Sequence, residues 1–211
     1  MGPLPVTLQL LWRGYEGLAT VAALGLWPWF YHRLRRRGRG ESFGARFGYA
    51  LPPYRPIPSQ APLWLHGVSV GEIAAAQPLV RELTSWLPPG QILLSTGTET
   101  GQAVARRLFP PPVTVFYAPL DWPYAVRRYL HHLRPRVYAA LETEIWPDFL
   151  ITAHQAGVRL ALLNGRLSSK SFRRYLKIKW YISKIINLFT FIAAGSDADA
   201  ARFLELGEAP E

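Results

Sequence analysis

Cysteine is absent from the 211-residue chain. That excludes disulfides, thiolate metal sites and a cysteine nucleophile, and leaves the redox compartment open. Acidic residues are scarce: 14 Asp and Glu face 24 Lys and Arg, for a formal net charge of +10 and an isoelectric point near 10.2. Such a balance implies an anionic partner, whether nucleic acid, an anionic membrane surface or a phosphorylated substrate. No repeat with a period of about 20–50 residues is visible. There is no P-loop, and Gly97 and Gly101 have the wrong spacing for a G-x-G-x-x-G dinucleotide fingerprint. A long apolar run is missing as well: the uncharged stretch 17–31 falls short of the roughly 20 residues a comfortable membrane span requires, and Arg13 and Glu16 interrupt it on one side. What the chain does have is apolar and aromatic bulk. Hydrophobic residues make up 49% and aromatics 13%, with eight Trp, which suits a packed core and argues against disorder.

Residues 1–50 read as a membrane-associating helix with a basic juxtamembrane segment. The apolar stretch ends in Trp27, Trp29 and Tyr31, and Arg33, Arg35, Arg36, Arg37 and Arg39 follow at once. A secretory signal does not fit, because the charge follows the apolar stretch and no small-residue cleavage site appears. The aromatics suit a membrane boundary and the arginines an anionic lipid surface, for a short span or for a helix lying in the headgroup region. The competing reading is an apolar helix packed on the domain. Residues 51–62 are Pro-rich and read as a stiff connector.

From residue 63 to 211, apolar runs alternate with helical spacings. The runs at 63–66, 92–96, 113–118, 137–141, 160–164 and 189–194 read as strands. Between them lie helical segments: a stripe of Ile73, Ala76, Val80 and Leu83 that Pro78 should kink or split, then 102–109, 124–133, 147–156, 171–186 and 197–206. This pattern predicts an α/β, Rossmann-like parallel sheet of about six strands with helices on both faces. In such sheets ligands bind outside the carboxyl ends of the strands. Weight therefore falls on the polar residues just after each run: Ser69 and Glu72, 96–101, Asp121, 142–144, 164–166 and Ser196.

The first of these turns, His66-Gly67-Val68-Ser69-Val70-Gly71-Glu72, carries two glycines and places Glu72 in the first turn of the next helix. An acid there can simply complement the helix dipole. The segment also matches the G-x-S-x-G elbow of serine hydrolases with Ser69 as nucleophile, followed by Asp121 or Asp148 and then His131, His132 or His154. Against it, His131 and His132 fall within a helix away from the strand ends, and no oxyanion loop precedes Ser69. The loop 95–101 is rich in hydroxyls and glycines, fit for phosphate or sugar and equally for a plain βα turn. Glu142 directly follows the fourth run; burial there should leave it hydrogen-bonded or raised in pKa, and with Glu72 it would supply a base and an orienting acid. The segment 164–187 carries Arg166, Lys170, Arg173, Arg174, Lys177, Lys179 and Lys184 with no acid, which implies an anionic partner. Nucleic acid has suitable chemistry, but beside a basic anchor phosphorylated lipid is the simpler partner, and no nucleic acid is expected.

With these residues in place, the chain resembles the N-terminal, acceptor-side domain of 3-deoxy-D-manno-octulosonic acid (Kdo) transferases. The resemblance rests on HGVSVGE at 66–72, LSTGTETG at 94–101, LETEIWPD at 141–148, LNGRLSSKS at 163–171 and AAGSDADAARFLELG at 193–207, with Arg46-Phe47-Gly48 also fitting. It implies half of a GT-B fold, in which this domain binds a lipid A precursor (lipid IVA) and a C-terminal domain holds the donor CMP-Kdo. It implies inverting, metal-independent transfer in lipopolysaccharide biosynthesis, without a cofactor, on the cytoplasmic face of a Gram-negative inner membrane. Glu72 falls on the family's catalytic base and Glu142 on a position that assists the transition state. Ser69, Gly71, Thr96, Thr98, Thr100, Gly101, Arg166, Ser168 and Lys170 become candidate acceptor contacts. Family members continue beyond the position of Glu211 into the donor domain, so this chain alone is expected to bind acceptor without efficient transfer. The alternative from another class is a non-catalytic membrane-peripheral module for phosphorylated lipid.

Overall fold

The computed structural model describes residues 6–35, 40–55 and 61–207. A long α1 (Val6–Arg35) and a short α2 (Gly40–Arg46) precede the sheet. Then follow β1 (Leu63–Gly67), α3 (Val70–Ala75), α4 (Gln77–Trp86), β2 (Ile92–Thr96), α5 (Glu99–Leu108), β3 (Thr114–Tyr117), α6 (Pro123–Leu133) and β4 (Val137–Ala140). The chain continues through α7 (Pro147–Gln155), β5 (Arg159–Gly165), α8 (Ser169–Lys177), α9 (Lys179–Ile186), β6 (Phe191–Ala194) and α10 (Asp197–Leu206). The six strands form one parallel sheet in the order β3-β2-β1-β4-β5-β6. The expected α/β, Rossmann-like sheet is present. Its order reverses between β1 and β4, which opens a crevice at their carboxyl ends.

Alternation along the strands builds two cores. Trp64, Leu93, Tyr138 and Leu160 face one side, where they pack with residues of α6, α7, α9 and α10. Leu65, Leu94 and Ala139 face the other, against α3, α4 and α5. Both faces are covered, so each strand reads as an apolar run. The helix split at Pro78 is observed: α3 ends at Ala75, and Pro78 stands in the first turn of α4. The single helix expected over 171–186 is two. It breaks at Ile178, whose φ of −124° and ψ of 30° depart from helical values with neither Gly nor Pro to announce the break.

The N-terminal helix divides into a docked half and a bare half. Leu8 and Trp12 are buried in the first core. The Trp12 indole donates to Asp148 Oδ1 at 2.8 Å, the Tyr15 hydroxyl donates to Asp121 Oδ2 at 2.7 Å, and Arg127 pairs with Glu16. Over this half, the packed reading describes the helix. Farther along, Leu18, Val21 and Leu24 are about 70% exposed. No helix among the described residues is long and apolar enough to cross a membrane. The side chains of Trp27, Trp29, Tyr31, Arg33 and Arg35, and all of Arg36, Arg37 and Arg39, lie outside what is described.

Candidate functional site

Ser69 and Glu72 form a reciprocal cap at the start of α3. Ser69 Oγ accepts from the Glu72 N–H at 3.1 Å, while the Glu72 carboxylate accepts from Val68 N at 2.7 Å and Ser69 N at 3.0 Å. The buried carboxylate of Glu72 is therefore held rigidly at the crevice, one oxygen on each amide. Gly67 is required by close packing, since a Cβ there would meet Ile73, Leu141 and Glu72 at 3.1–3.3 Å. A Cβ on Gly71 would meet Ser69 Oγ at an ordinary 3.8 Å and its φ is not positive, so the turn itself does not demand glycine there. Ser69 has no histidine partner among the described hydrogen bonds; His132 bonds Pro52 O.

The β2 turn interlocks with this one. The Thr98 hydroxyl donates to Val68 O at 3.0 Å and accepts from Gly101 N at 3.0 Å, capping α5. A Cβ on Gly101 would press on Val68 O at 3.1 Å. Thr100 is exposed and weakly bonded to Thr98. Thr96 is fully buried and donates to Gln102 Oε1 at 2.6 Å, so its hydroxyl is committed within the fold.

Across the crevice, β4 ends in the acids. The Glu142 carboxylate is half-buried and has no hydrogen-bond partner among the described residues. Desolvation raises the pKa of Glu144 and the fields of Glu72 and Glu142 push the same way, opposed by the Trp146 indole bonded to its Oε2 at 2.7 Å. The field of Glu72 thus reaches Glu144 of the β4 loop. Thr143 ties that loop to β5, exchanging hydrogen bonds with the backbone of Arg166. Arg166, Ser168 and Lys170 are exposed, with Ser168 capping α8 through Ser171 N at 3.1 Å. Among the described residues, no group of three His, Asp or Glu side chains gathers as a metal site requires.

Beneath these turns lies a cavity of about 140 Å³ lined by Arg46, His66, Asp121, Tyr138, Trp146 and Phe149 among others. Sequence reasoning placed His66 in a motif without giving it a role. Its Nδ1 is 2.9 Å from Ser95 Oγ, and that oxygen already accepts from the Trp64 indole at 2.7 Å. The Ser95 proton has two destinations, His66 Nδ1 at 2.9 Å or Leu65 O at 3.4 Å. With the first, the ring is the Nε2–H tautomer; with the second, Nδ1–H donates to Ser95 Oγ. Burial pushes the His66 pKa down to about 4, so the ring is neutral at physiological pH. Asp121, one of the strand-end residues and a candidate hydrolase acid, accepts from Phe149 N at 2.8 Å and Asp148 N at 3.3 Å. It anchors the N-terminus of α7, and with it the end of the Glu142–Glu144 loop.

The family model for 3-deoxy-D-manno-octulosonic-acid transferase (kdotransferase) matches residues 41–211. A 3-deoxy-D-manno-octulosonic acid transferase of Bordetella pertussis is 37% identical over 203 residues, covering 91% of this chain and 47% of the relative. One from Haemophilus influenzae is 32% identical over 82% of this chain and 39% of its own length. A probable mitochondrial 3-deoxy-D-manno-octulosonic acid transferase of Arabidopsis thaliana is 32% identical over 85% of this chain and 40% of its own length. The chain therefore spans about half the length of the curated relatives it matches, or less.

Proposed function

Because this chain belongs to the Kdo transferase family and corresponds to its N-terminal part, we propose that it is the acceptor-binding half of a glycosyltransferase that moves Kdo from CMP-Kdo to a lipid A precursor. In this reading Glu72 takes the proton of the acceptor hydroxyl as that oxygen bonds the anomeric carbon of Kdo from the face opposite the leaving group. The bond from that carbon to the CMP phosphate breaks, CMP departs with the electron pair, and the configuration inverts. No metal takes part. Glu142, with an unpartnered carboxylate across the crevice, assists the charge that develops. Thr98, Thr100, Gly101, Ser69 and Gly71 frame one side of the acceptor, and Arg166, Ser168 and Lys170 the other.

The observation that carries this reading is the placement of Glu72. It is a fixed carboxylate at the reversal point of the sheet, and its field reaches Glu144 of the β4 loop. The bare half of α1 and the basic α8 lie against an anionic membrane surface, which presents the lipid acceptor. The test is reconstitution. The chain is mixed, or expressed as a fusion, with the donor half of a family member, and Kdo transfer to lipid IVA is followed by mass spectrometry. Transfer should appear only with both halves present and should vanish with Glu72→Ala. A fusion that folds, binds CMP-Kdo and still transfers nothing would reject the reading in favour of a non-catalytic lipid-binding module.

A further inference from the structure

Arg46 ends α2, and its surroundings hold that end firmly. Leu120 N donates to Arg46 O at 2.8 Å, and the Tyr129 hydroxyl donates to Ala45 O at 2.9 Å. The rings of Phe43 and Phe47 pack at 4.3 Å, and Phe47 meets Trp122 edge-on at 5.9 Å. The guanidinium is thus delivered to a fixed place, the wall between two cavities at the carboxyl ends of β1–β3. One is the 140 Å³ cavity above His66. The other, of about 520 Å³, is lined by Ser42, Thr98, Glu99, Thr100 and Tyr117 among others. The larger volume falls within the roughly 300–1,000 Å³ of small-molecule sites.

What sets Arg46 apart is the lack of an ion pair. Its Nε is buried without a hydrogen-bond partner, and the guanidinium forms no ion pair among the described residues. Glu99 is the acid whose field reaches it, yet Glu99 accepts from Ser42 and stands in the first turn of α5, where the helix N-terminus favours its charge. A guanidinium cannot shed its proton to escape burial. Arg46 is partly buried, so its guanidinium bears part of the desolvation cost with no ion pair to offset it, and an anion entering either cavity would supply the missing partner.

We propose that Arg46 is the centre of an oxyanion subsite, which receives a phosphate or carboxylate group of a sugar substrate at the wall the two cavities share. The unpaired guanidinium carries the subsite; its assignment to a sugar substrate rests on the transferase reading. The test uses thermal melts and NMR titrations of the full 211-residue chain at constant ionic strength, with inorganic phosphate and with free Kdo, which offers only a carboxylate. At least one should bind saturably and raise the melting temperature; phosphate alone assigns the group to the acceptor's phosphates, and Kdo to the transferred acid. Arg46→Met should weaken that binding at least tenfold while the unliganded chain melts at the wild-type temperature or above, because an unpaired charge has been removed. Arg46→Lys, a cation without the planar fork, should bind with intermediate strength. Three results would overturn the subsite: no binding of either anion, unchanged binding in a folded Arg46→Met chain, or a lower unliganded melting temperature in that variant. Transfer is not read, so failure of the transferase reading leaves this outcome intact.

Discussion

At the scale of single residues, Glu72 has two jobs available to one carboxylate. As a cap it accepts two backbone amides; as a base it must also accept a proton from substrate. The two separate cleanly with Glu72→Gln, because Gln serves the same capping position but cannot act as a base. The variant should lose one amide contact, costing about 1 kcal/mol of stability, while transfer by a reconstituted enzyme falls by roughly 10²–10⁴-fold. Urea melts and initial rates on the same protein check it, and a stable, near-fully active variant would leave Glu72 as a cap alone. The position of Glu72 was legible in the sequence, since a polar residue after an apolar strand and two glycines marks a strand-end turn. Its hydrogen bonds were not, because capping through the carboxylate and through the Ser69 hydroxyl depends on backbone angles. The roles of His66 and Asp121 were hidden for a related reason: their partners Ser95, Phe149 and Asp148 come from other strands and turns.

At the scale of elements, the docked half of α1 rests on two buried acids. Asp148 is fully buried, with one oxygen bonded to Trp12 and the other without a partner. Burial raises its pKa to about 7 and raises that of Asp121, which Tyr15 and the α7 amides hydrogen-bond. A folded-state pKa above the unfolded value means that the fold binds the proton more tightly. The contribution of Asp148 is therefore fully present below about pH 4 and is lost as pH rises through 7, at up to about 1.4 kcal/mol per pH unit for one proton. Urea unfolding at pH 5 and pH 8 should show this loss in the wild type and much less of it in Asp148→Asn, which keeps an acceptor for Trp12. Equal slopes in the two proteins would remove Asp148 as the cause. All six strands could be read from the sequence because both sheet faces are covered, which turns each strand into an apolar run. The break between α8 and α9 could not, since Ile178 carries no Gly or Pro signal. Nor could the partners on which α1 docks, since its acids lie more than 100 residues away.

At the scale of the whole molecule, charge is distributed with direction. Lys170, Arg173, Arg174 and Lys177 stand exposed on α8, a helix with no buried residue that starts just after the carboxyl end of β5. Binding to vesicles containing anionic phospholipid should weaken as salt rises, and exchanging these four residues for Gln should cost about 1 kcal/mol each near the surface. Co-sedimentation at low and high ionic strength measures this; binding indifferent to both would show that α8 does not face the membrane. The anchoring of α1 has a consequence in time. Trp12 leaves the ribosome 136 residues ahead of Asp148, an interval on the order of 7–27 s at typical rates of synthesis. Throughout that interval Leu8 and Trp12 have no core to enter, so the helix emerges apolar on the face it will later bury as well as on the face it leaves bare. A nascent chain in that condition is a substrate for whatever first meets it, chaperone or bilayer, before the domain that will claim half of it exists.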